Sequence, residues 1–282
     1  MEMSRLLSAD FAKLKKNKFF WICMIGMFLF GVFMAVMDYI STRQYGDYEA
    51  QITNILFIYA LTVAILIPAF VSLFVGTEYS DGTIRNKMII GHTRTCIYLS
   101  NIIVCSAAGL GFCISYIIGV LVIALPFYTI DPVILQGTVI LVLCSFVMSI
   151  AFTALCVMTA LLCQNKALTS VINILAACFL LVISLYIMSR LREPEVYSGY
   201  TLSPETGEIE MSEDEPNPDY LRGTERELYQ FFNDFLPTGQ AVNISGQGEL
   251  SQSPGLLAAY SASIIIVSTG VGMFVFKKKD IK

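Results

Sequence analysis

Apolar residues along this chain come in long unbroken blocks divided by short polar stretches, without the period-two alternation of a half-buried strand. Six blocks run approximately over 19–37, 52–75, 97–125, 133–162, 167–188 and 256–276. Each is near or above the ~20 residues a helix needs to cross a hydrocarbon core of ~30 Å. The third and fourth exceed that minimum, so those helices tilt or project beyond the hydrocarbon. The first is longer than the apolar core of a signal peptide and lacks a small-residue cleavage site after it, so it reads as a retained helix. The pattern predicts an all-α membrane protein of six transmembrane helices.

The polar segments divide the rest. Residues 1–18 form an amphipathic helix, with Leu7, Phe11 and Leu14 on one face and Lys13, Lys15, Lys16 and Lys18 supplying positive charge; such a helix belongs on an anionic membrane surface. Residues 19–189 carry the first five spans and include a polar loop at 76–96. Residues 190–254 form an acidic segment before the last span, and 255–282 hold the sixth helix and a basic tail. Within the acidic segment the run Glu205, Glu208, Glu210, Glu213, Asp214, Glu215 and Asp219, broken by Pro204, Pro216 and Pro218, is too polar to bury a core and reads as a solvated loop. A short helix near 225–236 follows, with Leu228, Tyr229, Phe231, Phe232, Phe235 and Leu236 at helical spacing and Pro237 and Gly239 as its stop. It is too short to span, so it lies against a leaflet, re-enters beside the sixth helix, or packs outside the membrane.

Charge orients the chain. Thirteen of the 18 Lys and Arg fall on the side holding both termini and the 76–96 loop. Short cytoplasmic loops collect basic residues, so both termini are expected in the cytoplasm and 190–254 outside. The composition agrees, with 56% hydrophobic and 14% charged residues and a mean hydropathy of +0.68, where soluble domains average about 25% charged. None of the eight cysteines lies in the large acidic segment, which argues against a disulfide framework. No metal-ligand spacing is present, and the single His92 has no obvious partner in sequence. No H-E-x-x-H, G-x-S-x-G or paired in-membrane aspartates occur, which excludes the usual intramembrane protease chemistries and leaves no catalytic residue to name. The spans carry no ionisable residue at mid-depth, so the energy for any transport comes from elsewhere.

Two features inside the spans stand out. Ala107, Gly111, Ser115 and Gly119 recur every fourth residue, as do Ser145, Ser149 and Thr153, which lets helix backbones approach closely. Pro68 interrupts the second span, removing one helical hydrogen bond, and is a candidate hinge.

The most distinctive polar sequence is GTEYSDGTIRNKMIIGHTRTC, residues 76–96, in which Glu78 precedes Gly82, Thr83, Ile84, Arg85, Asn86 and Lys87. Gly82 permits a sharp turn, and Arg85 and Lys87 can make charge-assisted bonds to carboxylates of a partner. This loop, the amphipathic start SRLLSADFAKLKKNKFFW, the long segment before the last helix and the basic ending FKKKDIK together resemble the permease subunits of ABC-2 type transporters, bacterial exporters in which a six-helix membrane subunit works with a separate ATPase. The resemblance implies that the loop between the second and third helices forms a cytoplasmic coupling helix that docks on the ATPase, with that role on Glu78, Gly82, Thr83, Ile84, Arg85, Asn86 and Lys87. Family members often carry a basic residue shortly after this loop, where Asn101 stands here.

No G-x-x-x-x-G-K-[ST] phosphate loop is present, so the chain is expected to need no cofactor of its own, with ATP and Mg on the partner ATPase. The other expected partners are a second permease, identical or related, and membrane lipid, with no nucleic acid. The setting implied is a bacterial cell membrane, and the first substrate expectation is amphipathic or antimicrobial peptides, with sodium, drugs or lipids as alternative cargo. A non-transporting sensor or scaffold shares every topological feature and stands as the alternative class.

Overall fold

The computed structural model describes residues 2–45, 52–128, 132–197, 200–202, 209–211, 215–246 and 253–279. Of the acidic run, Glu205, Glu208, Glu213 and Asp214 lie outside those residues. The architecture is all-α, and among the described residues six helices are long and apolar enough to cross a membrane.

The amphipathic start is helix α1 (Glu2–Lys16), joined at Asn17 to α2 (Lys18–Tyr45), the first span. A single turn, α3 (Thr53–Leu56), leads into α4 (Tyr59–Ser80), the second span, and the short α5 (Thr83–Ile89) follows. Helices α6 (Arg94–Phe127), α7 (Pro132–Cys163) and α8 (Lys166–Leu191) are the third to fifth spans. Helices α6 and α8 begin on side-chain caps: Thr93 accepts from the backbone N–H of Cys96, and Asn165 accepts from those of Ala167 and Leu168.

Next come four short strands, β1 (Val196–Tyr197), β2 (Tyr200–Leu202), β3 (Ile209–Met211) and β4 (Glu215–Pro216), then α9 (Gly223–Phe235), α10 (Pro237–Ser245) and the last span α11 (Pro254–Lys278). The strands pair antiparallel as β1 with β4 and β2 with β3, with Tyr200 opposite Met211 and Leu202 opposite Ile209. Strands therefore pair within a segment expected to be a plain loop, with Val196 opposite Pro216 and Thr201 opposite Glu210.

Helix α2 packs along α6, and α11 along α7, while α4 sits between α7 and α8 and is the most enclosed of the spans. Small residues set the α2–α6 spacing. A side-chain carbon on Gly119 would come within 2.3 Å of the Phe28 carbonyl oxygen, and one on Gly31 within 2.5 Å of that of Tyr116, so only glycine fits at either point. Ser115 donates to the Met24 carbonyl at 2.7 Å, and Gly111 faces the Met24 sulfur. Ala107, in the same row, is half-buried. The second row faces inward, with Ser145 bonded to Tyr59 Oη at 2.5 Å and Ser149 to Cys113 at 3.4 Å. Pro68 is buried inside α4, which continues through it as one helix.

The end of the acidic segment departs from expectation. The aromatic helix ends just before Pro237, as expected, but Pro237 also opens a second helix, α10, at whose first turn a missing N–H costs nothing. Leu236, in extended backbone, is the joint between α9 and α10. Gly239 lies inside α10 against Asn233, whose carbonyl oxygen would be 2.4 Å from any added side-chain carbon, so the two helices form a tight hairpin. Residues 237–244 are all buried, and α10 packs on α4, α7, α8 and α9. One arm of the hairpin therefore enters the end of the bundle away from α1, while α9 keeps Leu228, Phe231 and Phe232 exposed.

Candidate functional site

At the lysine-rich end four elements meet around two buried carboxylates. Glu78, in the last turn of α4, is fully buried. Its Oε1 accepts from Lys87 Nζ of α5 at 2.9 Å and from Lys13 Nζ of α1 at 3.1 Å. Its Oε2 accepts from Asn101 Nδ2 of α6 at 3.4 Å. Asp10 of α1, also buried, holds Lys87 Nζ at 2.8 Å through Oδ1 and accepts from Ser100 Oγ at 2.6 Å through Oδ2. Two carboxylates and two ammonium groups thus form a chain from Asp10 through Lys87 and Glu78 to Lys13, with the Lys13 ammonium 4.6 Å from the centre of the Phe74 ring.

Local sequence explains the placement. Tyr79, Ser80, Asp81 and Gly82 turn the chain at the end of α4, and Gly82 takes the left-handed conformation (φ +67°) that lets α5 fold back. Gly91, at φ +106°, ends α5, and the His92 N–H reaches the Lys87 carbonyl at 3.1 Å. Ile84 and Lys87, three residues apart, face inward, while Arg85 and Asn86 face outward and Thr83 is half-buried. On α1, Leu6, Asp10 and Leu14 recur every fourth residue and are all buried, while Lys13 lies beside them.

Burial pulls the Lys87 ammonium down, but the charges of Glu78 and Asp10 outweigh it, so its pKa stands above the ordinary 10.5. Lys87 is therefore charged at all ordinary pH values. Its bonds go to residues of its own chain, so among the basic residues of the loop the exposed Arg85 is the one turned outward. Asn101 supplies a neutral donor to Glu78, whose charge Lys87 and Lys13 already meet.

Two features of this end escape a reading of the loop. Ile89 and Ile90 at the tip of α5 are 75% and 76% exposed, an apolar pair beside Arg85 and Asn86 on the outward face. Arg94, at the first residue of α6, donates through Nη1 to the carbonyls of Phe276 at 3.1 Å and Lys277 at 3.0 Å and to that of Lys279, satisfying the end of the last span. Lys279 Nζ in turn bonds the Leu162 carbonyl near the end of α7. The amphipathic α1 could have pointed to Asp10, an acid three residues before Lys13; for Arg94 nothing short of the folded chain brings residues 94 and 276 together.

A groove of about 330 Å³ runs between α1 and α5, lined by Arg5, Asp10, Lys13, Asn86, Lys87 and His92 among others. Among the described residues no group of His, Cys, Asp and Glu could hold a metal ion here, and Lys87 ties α5 to α1 and α4 together. None of the curated proteins matches the chain, but the family model described as ABC-2 family transporter protein matches residues 6–189, from α1 almost to the end of the fifth span. Membership implies an ATP-binding partner, since this multi-pass subunit has no phosphate loop. With six spans and a match over more than half its length, the chain belongs to the ABC-2 family of transporter proteins.

Proposed function

We propose that the chain is the permease of an ATP-driven exporter and that α5 is its coupling helix, docking on the ATPase at the cytoplasmic face. The observation that carries this reading is the two-faced character of α5. Its inner face is bolted to α1 and α4 through Lys87, while its outer face offers Arg85, Asn86, Ile89 and Ile90. Solvent-exposed isoleucines beside an arginine are what a protein interface uses, an apolar anchor with a charged rim. Motion of the ATPase would pull on that face, and the buried ion chain would carry it to the bundle. Glu78 and Lys87 act in this reading as transmitters inside the permease; Arg85 and Asn86 act as contacts, and Gly82 as the turn that aims them.

Two copies, identical or related, would enclose the pathway, and lipid would bathe the exposed apolar faces of α2 and α8, where Ile22, Ile25, Leu29, Leu175, Phe179 and Val182 stand outward. An amphipathic or cationic peptide is the cargo we favour, on the charge of the 190–254 segment, whose carboxylates would attract a cation at the outer mouth. The test is copurification in mild detergent with ATPase and peptide-efflux assays in vesicles. Arg85→Glu should release the ATPase from an intact permease; Lys87→Met should keep it bound but uncouple hydrolysis from efflux. Retention of full efflux in both variants would refute the coupling role of α5.

A further inference from the structure

The exposed side of α9 changes character along its length. Arg222, Glu225 and Glu227, at its start, are exposed charges, and Arg226 Nη2 donates to the Leu191 carbonyl at the end of α8 at 3.3 Å. That contact sets the first turn of α9 level with the end of the fifth span. Beyond it the exposed positions are apolar: Leu228, Phe231 and Phe232 are 52%, 42% and 41% exposed. Residues three and four apart share one face of a helix, so the three form a single apolar stripe.

The neighbours of α9 and α10 fix the depth of that stripe. Phe231 and Phe235 both meet the Tyr260 ring of α11 edge to face, with 5.8 and 5.7 Å between ring centres. Tyr260 lies roughly 9 Å along α11 from Pro254, at 1.5 Å per residue. Thr238, at the start of α10, bonds Ser184 at 2.8 Å and the Leu180 carbonyl at 3.3 Å. Those two residues stand roughly 10 and 16 Å before the end of α8 on the same rise. The apex of the hairpin therefore sits within the length of two spans, and α9 climbs from it towards their ends. Charges level with the span ends and phenylalanines level with their interior follow the polarity of a bilayer, where an amphipathic helix sinks its apolar face about 5–10 Å into the boundary of headgroups and acyl chains.

The stripe also continues an outer surface of the spans. Tyr229 packs on the Ile187, Leu191 and Leu221 cluster and lies beside Tyr186, and Tyr186 stands outward on α8 together with Val182 and Leu185. Aromatic rings gather at this level in membrane proteins, because the interface suits an apolar body with a polar edge.

We propose that α9 is a lipid-binding interfacial helix. Its Leu228, Phe231 and Phe232 face lies among the acyl chains of the leaflet away from α1, and its first turn lies among the headgroups. In the orientation implied by the basic residues this is the outer leaflet. The partner is the phospholipid bilayer and not a second copy of the chain, because a protein partner gives no reason for polarity to follow depth. The inference needs the six spans and is independent of the ATPase and of the cargo.

The chain has one tryptophan, Trp21, so Trp21→Phe combined with Phe231→Trp gives the full-length protein a fluorescent reporter on α9 alone. In phosphatidylcholine vesicles the reporter should lose about half its emission to lipid brominated high on the acyl chains and less to lipid brominated near the chain ends, as a depth of about 5–10 Å requires. Aqueous acrylamide should quench it several-fold less than it quenches Glu225→Trp in the same background. If Phe231→Trp does not fold, Leu228→Trp, at the most exposed position of the same face, takes its place. Strong quenching by acrylamide without a response to brominated lipid would overturn the proposal. Protection from both quenchers would overturn it too, since that is the result expected if a second copy or another part of the chain covers the face.

Discussion

The two ends of this bundle solve the same problem with different chemistry. At the lysine-rich end, two buried carboxylates meet two ammonium groups at 2.8–3.1 Å, and the ion chain joins α1, α4 and α5. At the other end, carboxamides of Gln230, Asn233 and Asn243 donate to the buried Asp234 at 3.2–3.4 Å, and hydroxyls help seat α10: Ser184 bonds Thr238 at 2.8 Å, and Ser261 bonds Gln240 at 2.7 Å. Full charges in opposition hold a definite geometry, because removing any one leaves its partners buried and uncompensated.

The largest expected effect comes from breaking the ion chain. Glu78→Ala would leave Lys87 and Lys13 without their shared carboxylate and should destabilise the protein by about 3–5 kcal/mol, read as a fall in the midpoint of thermal unfolding in detergent. Adding Lys87→Met to it should recover none of that loss, because Lys87 still pairs with Asp10 at 2.8 Å and its removal leaves that second buried carboxylate without its cation. A recovery would mean that Lys87 pairs with Glu78 alone.

At the other end, Gly239→Ala should cost about 1–3 kcal/mol, because the new carbon must push Asn233 away from α10. Gly270→Ala, with open space around that position in α11, should be neutral or slightly stabilising by the same measurement. Equal effects of the two changes would show that the hairpin is not tightly seated. Thr238→Val, which removes the bond to Ser184, should cost about 1 kcal/mol.

Arg85→Ala should leave stability within about 0.5 kcal/mol, as for other exposed positions, while weakening ATPase copurification, which separates the outward face of α5 from its inward face. The smallest effect concerns pH. The pKa of Lys87 is raised, so its stabilisation is fully present below the ordinary 10.5 and is lost only as pH climbs through the raised value. Unfolding midpoints should therefore show no loss from this group between pH 6 and about 9, with α1 loosening only in strong alkali. A loss near neutrality that disappears in Lys87→Met would contradict the pairing described for it.

Much of this was legible in the amino-acid order. Six apolar blocks predict six spans because a hydrocarbon core demands about 20 apolar residues whatever the rest of the protein does, and the glycine at 82 predicts a turn because few other residues adopt its backbone. The candidate site was legible only in part. Glu78 and Lys87 stand nine residues apart in a conspicuous loop, but whether such a pair faces a partner or closes on itself depends on Asp10 and Ser100, which are distant in sequence. The α9–α10 hairpin was misleading for a related reason. Pro237 stops one helix and starts another with equal ease, and only the seat offered by α4, α7 and α8 makes the second helix worth forming.

By itself, then, the sequence determined what local physics enforces: the number of spans, their lengths, the amphipathic start, the charge bias between the two sides and the absence of a phosphate loop. The tertiary structure alone decided which polar groups meet. Asp10 finds Lys87, Arg94 caps a helix that ends near residue 276, and Asn243 folds back on Asp234. Burial makes such meetings decisive, since a polar group removed from water must find its partner wherever the fold brings one.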